Sequence, residues 1–183
     1  MSLVTLHAAA AVENNDDFHL ARLLLLLRAN SGRTNKPVDG ITKLAKMDFL
    51  LRYPSCLARV LIDRKPSNAP LVPDNERNTI EAQMVRYRYG PWDGRYRKWI
   101  GLLVAKGLAT TYLEGKTVCV QLTDAGQALA AHLMTLDEFQ PLAQRSTSVA
   151  RAVGDFSSTK LMKYVYELFP EIVNMKMGQS IKL

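Results

Sequence analysis

The strongest pattern along the chain is an apolar block set between charges. Asp16-Asp17 precedes Phe18-His19-Leu20-Ala21-Arg22-Leu23-Leu24-Leu25-Leu26-Leu27-Arg28, and Asn30-Ser31-Gly32 follows it. Asp16 or Asp17 as N-cap, a run of helix formers and a glycine stop predict a first helix. Five consecutive leucines make it apolar most of the way round, so it is expected at the centre of the fold or shared with a partner subunit. A polar loop with Pro37 leads into residues 38–52, where Ile41, Leu44, Ala45, Phe49 and Leu50 approximate an i, i+3, i+4 stripe and predict a second helix. Pro54 breaks that run and suits the first turn of a third helix over residues 55–63, with Cys56, Leu57, Val60 and Leu61 facing inward.

Residues 64–78 hold three prolines with little periodicity and are expected to form a surface loop. Residues 79–89 fit helix or strand, and Gly90-Pro91 marks a turn. From Tyr96 a helical pattern runs through Trp99, Ile100, Leu103 and Val104 to the Lys106-Gly107 stop. Two β-branched runs, residues 108–113 and 117–122, flank Glu114-Gly115-Lys116 and predict a hairpin. Thr123-Asp124 then caps a helix over residues 125–134 carrying Leu129, Ala130 and Leu133. Residues 144–148 look like a linker, and an amphipathic helix over residues 159–169 ends at Pro170. No internal repeat is visible. The fold expected is mainly α with a small β-hairpin: a winged helix-turn-helix domain with additional N- and C-terminal helices. Residues 1–140 are assigned to the winged-helix domain and residues 141–183 to a C-terminal helical extension.

Composition narrows the class. With 183 residues and 48% hydrophobic content the chain can bury a real core, which excludes intrinsic disorder. Its two cysteines, Cys56 and Cys119, lie 63 residues apart, so a disulfide scaffold is excluded and a reducing compartment is expected. The longest apolar run, Leu23 to Leu27, is far short of the roughly 18 to 20 residues that span a bilayer, so no membrane segment is expected. Residues 1–12 are apolar but lack a basic start, and acids follow at Glu13, Asp16 and Asp17, which argues against a signal peptide. A cytoplasmic location is expected.

Catalytic chemistry is hard to assemble from these residues. His7, His19 and His132 are scattered and pair with no cysteine at metal-ligand spacing, so no metal is expected, and each histidine reads as a surface or packing residue. Cys119 falls in a strand and is expected to face the core as a small hydrophobe. Gly101, Gly107, Gly115 and Gly126 are dispersed and form no phosphate loop. Asp137-Glu138 would diverge on a helix and make a poor acid/base pair. A non-enzyme with no catalytic residue and no cofactor is expected.

Charge supplies the positive signal. Lys and Arg number 24 against 17 Asp and Glu, a net charge of +7, which favours polyanionic partners. Of that excess +4 lies in thirteen residues, Arg86 to Lys98, where five basic residues and one acid share the segment with four aromatics. Arg86, Arg88, Arg95, Arg97, Lys98 and Trp92 are therefore the candidate nucleic-acid or partner contacts, since cations neutralise phosphates and aromatic faces stack on bases. A packing alternative explains the same residues equally well: Tyr87, Tyr89, Trp92 and Tyr96 lie beneath a turn, with arginine stems over them.

Two stretches carry a family resemblance. Lys43-Leu44-Ala45-Lys46-Met47-Asp48-Phe49-Leu50-Leu51-Arg52-Tyr53-Pro54 and Met84-Val85-Arg86-Tyr87-Arg88-Tyr89-Gly90-Pro91-Trp92 resemble the small middle component of bacterial ABC three-component systems, the anti-phage defence group that includes Lamassu. The matching runs fall within residues 40–130. The resemblance implies a non-enzymatic winged-helix subunit that bridges an SMC-like ATPase and a nuclease-type effector, with double-stranded DNA as a further contact. It also makes Leu50 to Tyr53 and the Tyr89 to Trp92 turn family-defining. Two alternatives stay open: a dimeric winged-helix transcriptional regulator, with the 96–106 helix in the major groove and the 114–116 tip on the backbone, and an antitoxin-like adaptor. After Lys98 the helix reads Trp-Ile-Gly-Leu-Leu-Val-Ala, so it is expected to be largely buried, which weakens groove reading.

Overall fold

The computed structural model describes residues 15–77, 80 and 82–182. Helix α1 (Asp16–Ser31) is capped by Asn15, whose side chain accepts the Phe18 N–H at 3.2 Å. The cap thus falls one residue before the acids proposed for it, and Asp16 and Asp17 occupy the first turn, where the helix dipole favours negative charge. All five leucines from Leu23 to Leu27 are buried, because α1 is surrounded by later helices and by the sheet.

The second predicted helix is shorter than its apolar pattern. Val38 and Asp39 instead form β1 (Val38–Asp39), and Gly40, at φ 104°, makes the turn into α2 (Ile41–Arg52), a conformation that suits glycine. Helix α3 (Pro54–Arg64) carries Pro54 in its first turn. The proline-rich segment beyond it is pinned at intervals, with Val72, Ala82 and Met84 buried. Strands β2 (Val85–Tyr87) and β3 (Gly90–Trp92) then form a two-stranded antiparallel ribbon in which Val85 faces Trp92 and Tyr87 faces Gly90. Of the stretch the pattern left open, residues 85–87 adopt strand.

Helix α4 (Tyr96–Ala105) leads into β4 (Ala109–Glu114) and β5 (Thr117–Leu122), the hairpin expected from the sequence. Strand β1 pairs antiparallel with β5, placing Val38 opposite Val120, so the sheet order is β1-β5-β4. Thr123 caps α5 (Asp124–Leu133) through the Gly126 N–H at 3.1 Å. A 3-10 turn (Asp137–Phe139) enters α6 (Gln140–Val153), followed by α7 (Ser158–Leu168) and the short α8 (Pro170–Val173).

Residues 144–148, expected as a linker, sit in the middle of α6 instead. Arg145, Ser146 and Ser148 are buried there. Ser146 donates to the Leu142 carbonyl at 2.8 Å and Thr147 to that of Ala143 at 3.0 Å, so the hydroxyls satisfy themselves within the helix. Ser148 reaches the Pro70 carbonyl at 2.6 Å and ties the proline-rich segment down. Helix α6 packs along α1 and also touches α2 and α3.

The tail returns to the ribbon. Arg86 N–H donates to Gln179 O at 2.8 Å and Ile181 N–H to Met84 O at 2.8 Å, while Tyr53 Oη donates to Ile181 O at 3.0 Å. The architecture is mainly helical with a small antiparallel sheet. Among the described residues no helix is long and apolar enough to cross a membrane.

Candidate functional site

A buried charge network sets the position of residues 86–98. Asp48, on α2, is fully buried and accepts from Arg22 Nε at 2.7 Å, Arg52 Nε at 2.9 Å and Tyr96 Oη at 2.6 Å. Arg52 continues to Asp93 Oδ2 at 2.9 Å, and Arg95 holds both oxygens of Asp93 at 2.9 and 2.8 Å. The Trp99 ring lies against the guanidiniums of Arg22, Arg52 and Arg95, at 5.5, 5.4 and 4.8 Å from its centroid, and against His19 at 4.4 Å. His19 is thus a packing residue, while His7 lies outside the described residues. One network joins α1, α2, the turn at Asp93 and the start of α4.

Burial alone would raise the pKa of Asp48, but the Arg22 and Arg52 guanidiniums reverse this and hold it at about 2. Burial likewise works against the Asp93 carboxylate, and the bonds from Arg95, with the charge of Arg52, keep it well below the usual carboxylate range. Desolvation and the neighbouring Asp48 charge push the Tyr96 phenol well above its ordinary value. These groups are locked in one ionisation state, which suits a structural strut and not a proton shuttle.

The six residues singled out for contact separate into different environments. Arg86 is turned inward: its Nε donates to Ile172 O at 3.0 Å and its guanidinium lies over the Tyr166 ring. Arg95 is held by Asp93, and Lys98 pairs with Asp16 at 2.6 Å. Trp92 is half-buried, stacked on Tyr87 with 6.1 Å between centroids and packed against Tyr96. Arg88 and Arg97 are exposed and have no ion pair among the described residues. Arg88, exposed with its guanidinium 5.6 Å over the Tyr89 ring, fits the packing alternative, whereas Arg86 and Arg95 are held inside over Tyr166 and Trp99, and the contact reading keeps Arg97 and Trp92.

Trp92 and Arg97 border a cleft of about 410 Å³ between α2 and the β2–β3 ribbon. Tyr87, Tyr89, Pro91 and Trp92 form its walls, with Thr42 and Lys46 from α2 and Arg97 from α4 at its edges. Gly90, at φ 110°, turns the ribbon beside it. Lys46 is 2% exposed, donates only to the Thr42 carbonyl at 3.1 Å, and makes no ion pair among the described residues. Burial pushes its ammonium down to about 8. Nothing in its residue type marks Lys46 as buried, because lysines are ordinarily exposed. The clue available was its place four residues after Thr42, on the same helix face as the apolar stripe.

Helix α4 also differs from expectation. Tyr96, Trp99, Ile100 and Leu103 are buried, but Arg97, Lys98, Gly101, Val104 and Ala105 form an exposed face, so α4 is amphipathic and not largely buried. Past Lys98 that face offers no side-chain hydrogen-bond donor. The neighbouring strand β4 exposes Thr110 to Glu114, with Leu113 70% exposed.

Elsewhere, Cys119 is buried in β5, but not in the core as expected: it lies on the face opposite Val120 and Leu122, with Asp39 across the strand pair and Glu114 Oε2 at 3.7 Å. Asp39, Glu114 and Cys119 bring three potential ligand atoms within 4.8 Å of one another, with Glu114 exposed at the hairpin. Comparison with protein-family models, curated proteins and solved structures finds no match to this chain.

Proposed function

We propose that the chain is a non-enzymatic winged-helix subunit that joins an SMC-like ATPase to a nuclease-type effector in an anti-phage defence complex, with DNA as a further contact. The family resemblance of residues 43–54 and 84–92 motivates this reading. The order of elements supports it: α1, β1, α2, then α4 and the β4–β5 hairpin, with β1 completing a three-stranded sheet, is consistent with a winged-helix domain if residues 53–95 are read as an insertion.

The single observation that carries the interaction role is the character of the exposed α4 and β4 surface. A groove-reading helix presents donors and acceptors to base edges along its length. Here the α4 face continues from Lys98 into Gly101, Val104 and Ala105, and β4 beside it exposes Leu113 on one face and Tyr112 on the other. Exposed apolar side chains on adjacent elements favour a protein partner over a phosphate backbone. The regulator reading loses ground for the same reason, while Arg97 remains able to meet DNA phosphates. Pull-down of the chain with the products of its neighbouring genes tests the proposal. Capture of an SMC-like ATPase is the expected result, and an ATPase encoded alongside that stays in the flow-through overturns it.

A further inference from the structure

The cleft beside β3 has a composition that the bridging role does not call for. Its lining holds two cations, Lys46 and Arg97, and no carboxylate. The one acid of the segment, Asp93, is turned away and held by Arg52 and Arg95, so nothing neutralises the cleft from within. Lys46 brings a positive charge almost wholly out of water with a single backbone carbonyl as partner, an arrangement that is costly unless an anion arrives. Above it, Tyr87 and Tyr89 are each 49% exposed, and Tyr87 lies nearly parallel to Trp92, at 28° between ring planes. Aromatic rings and two cations lining one cleft are the chemistry that holds a base and its phosphate together. The volume of about 410 Å³ falls in the small-ligand range.

We infer that this cleft binds a single nucleotide unit, with the base against Tyr87, Tyr89 and Trp92 and the phosphate on Lys46 and Arg97. The inference deepens the reading of residues 86–98 as a contact surface. It is measured on the isolated chain, so its failure is distinct from a failure of complex assembly. The same chemistry is offered by a free nucleoside monophosphate and by the 5′-phosphorylated end of a strand.

The test is tryptophan fluorescence of the full chain titrated with AMP and, separately, with a 5′-phosphorylated oligothymidylate. Inorganic phosphate, adenosine and a glutamate-rich peptide serve as comparisons. Trp92 borders the cleft and Trp99 is buried, so stacking quenches chiefly the former, and Trp92→Phe removes most of the signal. Lys46→Met and Arg97→Ala are each expected to weaken binding roughly tenfold, as loss of a charge-assisted hydrogen bond does. Arg97 is exposed, so its variant keeps the test valid if Lys46→Met fails to fold. Tight binding of AMP alone identifies a free nucleotide as the source, and equal or tighter binding of the phosphorylated strand identifies a nucleic-acid end. The inference is overturned if neither quenches, if phosphate alone or the acidic peptide binds as well as AMP, or if Arg97→Ala binds like the wild type.

Discussion

Tyr96 donates a 2.6 Å hydrogen bond to Oδ2 of Asp48, tying the first residue of α4 to the buried face of α2. Asp48 also neutralises Arg22 and Arg52, both fully buried, so one carboxylate fixes three elements at once. Removing it leaves the buried Arg22 guanidinium without a carboxylate and Arg52 with Asp93 alone. Asp48→Asn is expected to cost about 3–5 kcal/mol, and Tyr96→Phe about 1.5–3 kcal/mol, in urea unfolding. A loss below about 1 kcal/mol for Asp48→Asn would show that the network does not organise the fold.

The same carboxylate makes stability depend on acid. Its pKa in the folded chain is held at about 2, below the ordinary 3.8, and that of Asp93 is lowered too. A depressed folded-state pKa contributes stability that is complete above the ordinary value and is lost as pH falls toward the folded one. The unfolding free energy is therefore expected to be flat near about pH 6 and to drop below about pH 4, by about 2 kcal/mol for Asp48 alone. Asp48→Asn should flatten that acid limb, and an unchanged limb in the variant contradicts the assignment.

Among the basic residues, stability should separate those used inside from those left outside. Arg86 bonds to Ile172 O and lies over Tyr166, linking the ribbon to the C-terminal helices. Arg86→Ala is expected to lower stability by about 1–3 kcal/mol, whereas Arg88→Ala and Arg97→Ala stay within about 0.5 kcal/mol of the parent. Thermal and urea unfolding of the three variants side by side reads this directly.

Gly126 meets the backbone itself. A Cβ there would sit 1.9 Å from the Leu108 carbonyl oxygen and 2.9 Å from its carbon, so neither partner can yield by a rotamer change. The same oxygen accepts the Thr123 N–H at 3.1 Å. Gly126→Ala is expected to cost about 2–4 kcal/mol by forcing α5 off the start of β4. A neutral substitution would mean that α5 moves freely against the hairpin.

Much of this architecture is legible in the sequence, for identifiable reasons. The buried leucine helix, the Lys106-Gly107 stop, the hairpin and the Thr123 cap each rest on local chemistry, and local chemistry survives folding. The parts that escaped depend on distant partners. Val38 and Asp39 become a strand only because Val120 and Cys119 wait 80 or more residues later. Residues 144–148 look like a linker because serines are weak helix formers, yet their hydroxyls bond back to α6 carbonyls and the helix is buried. The Arg22–Asp48–Arg52 cluster left one trace, the i, i+4 spacing of Asp48 and Arg52. Its burial could not be read, because charged residues are expected outside. The charge density from Arg86 to Lys98 is plain in the sequence, but its inward and outward cations follow no sequence period.

The most direct measurement of the proposed role is size-exclusion chromatography of the chain co-expressed with its neighbouring gene products, beside Val104→Asp and Leu113→Lys. Both side chains are exposed, Val104 at 41% and Leu113 at 70%, so the variants should fold unchanged by circular dichroism. The wild type is expected to elute in one particle with the SMC-like ATPase and the effector, and the variants to elute alone. A wild-type chain that elutes as a folded monomer or homodimer, with the ATPase in a separate peak, contradicts the account.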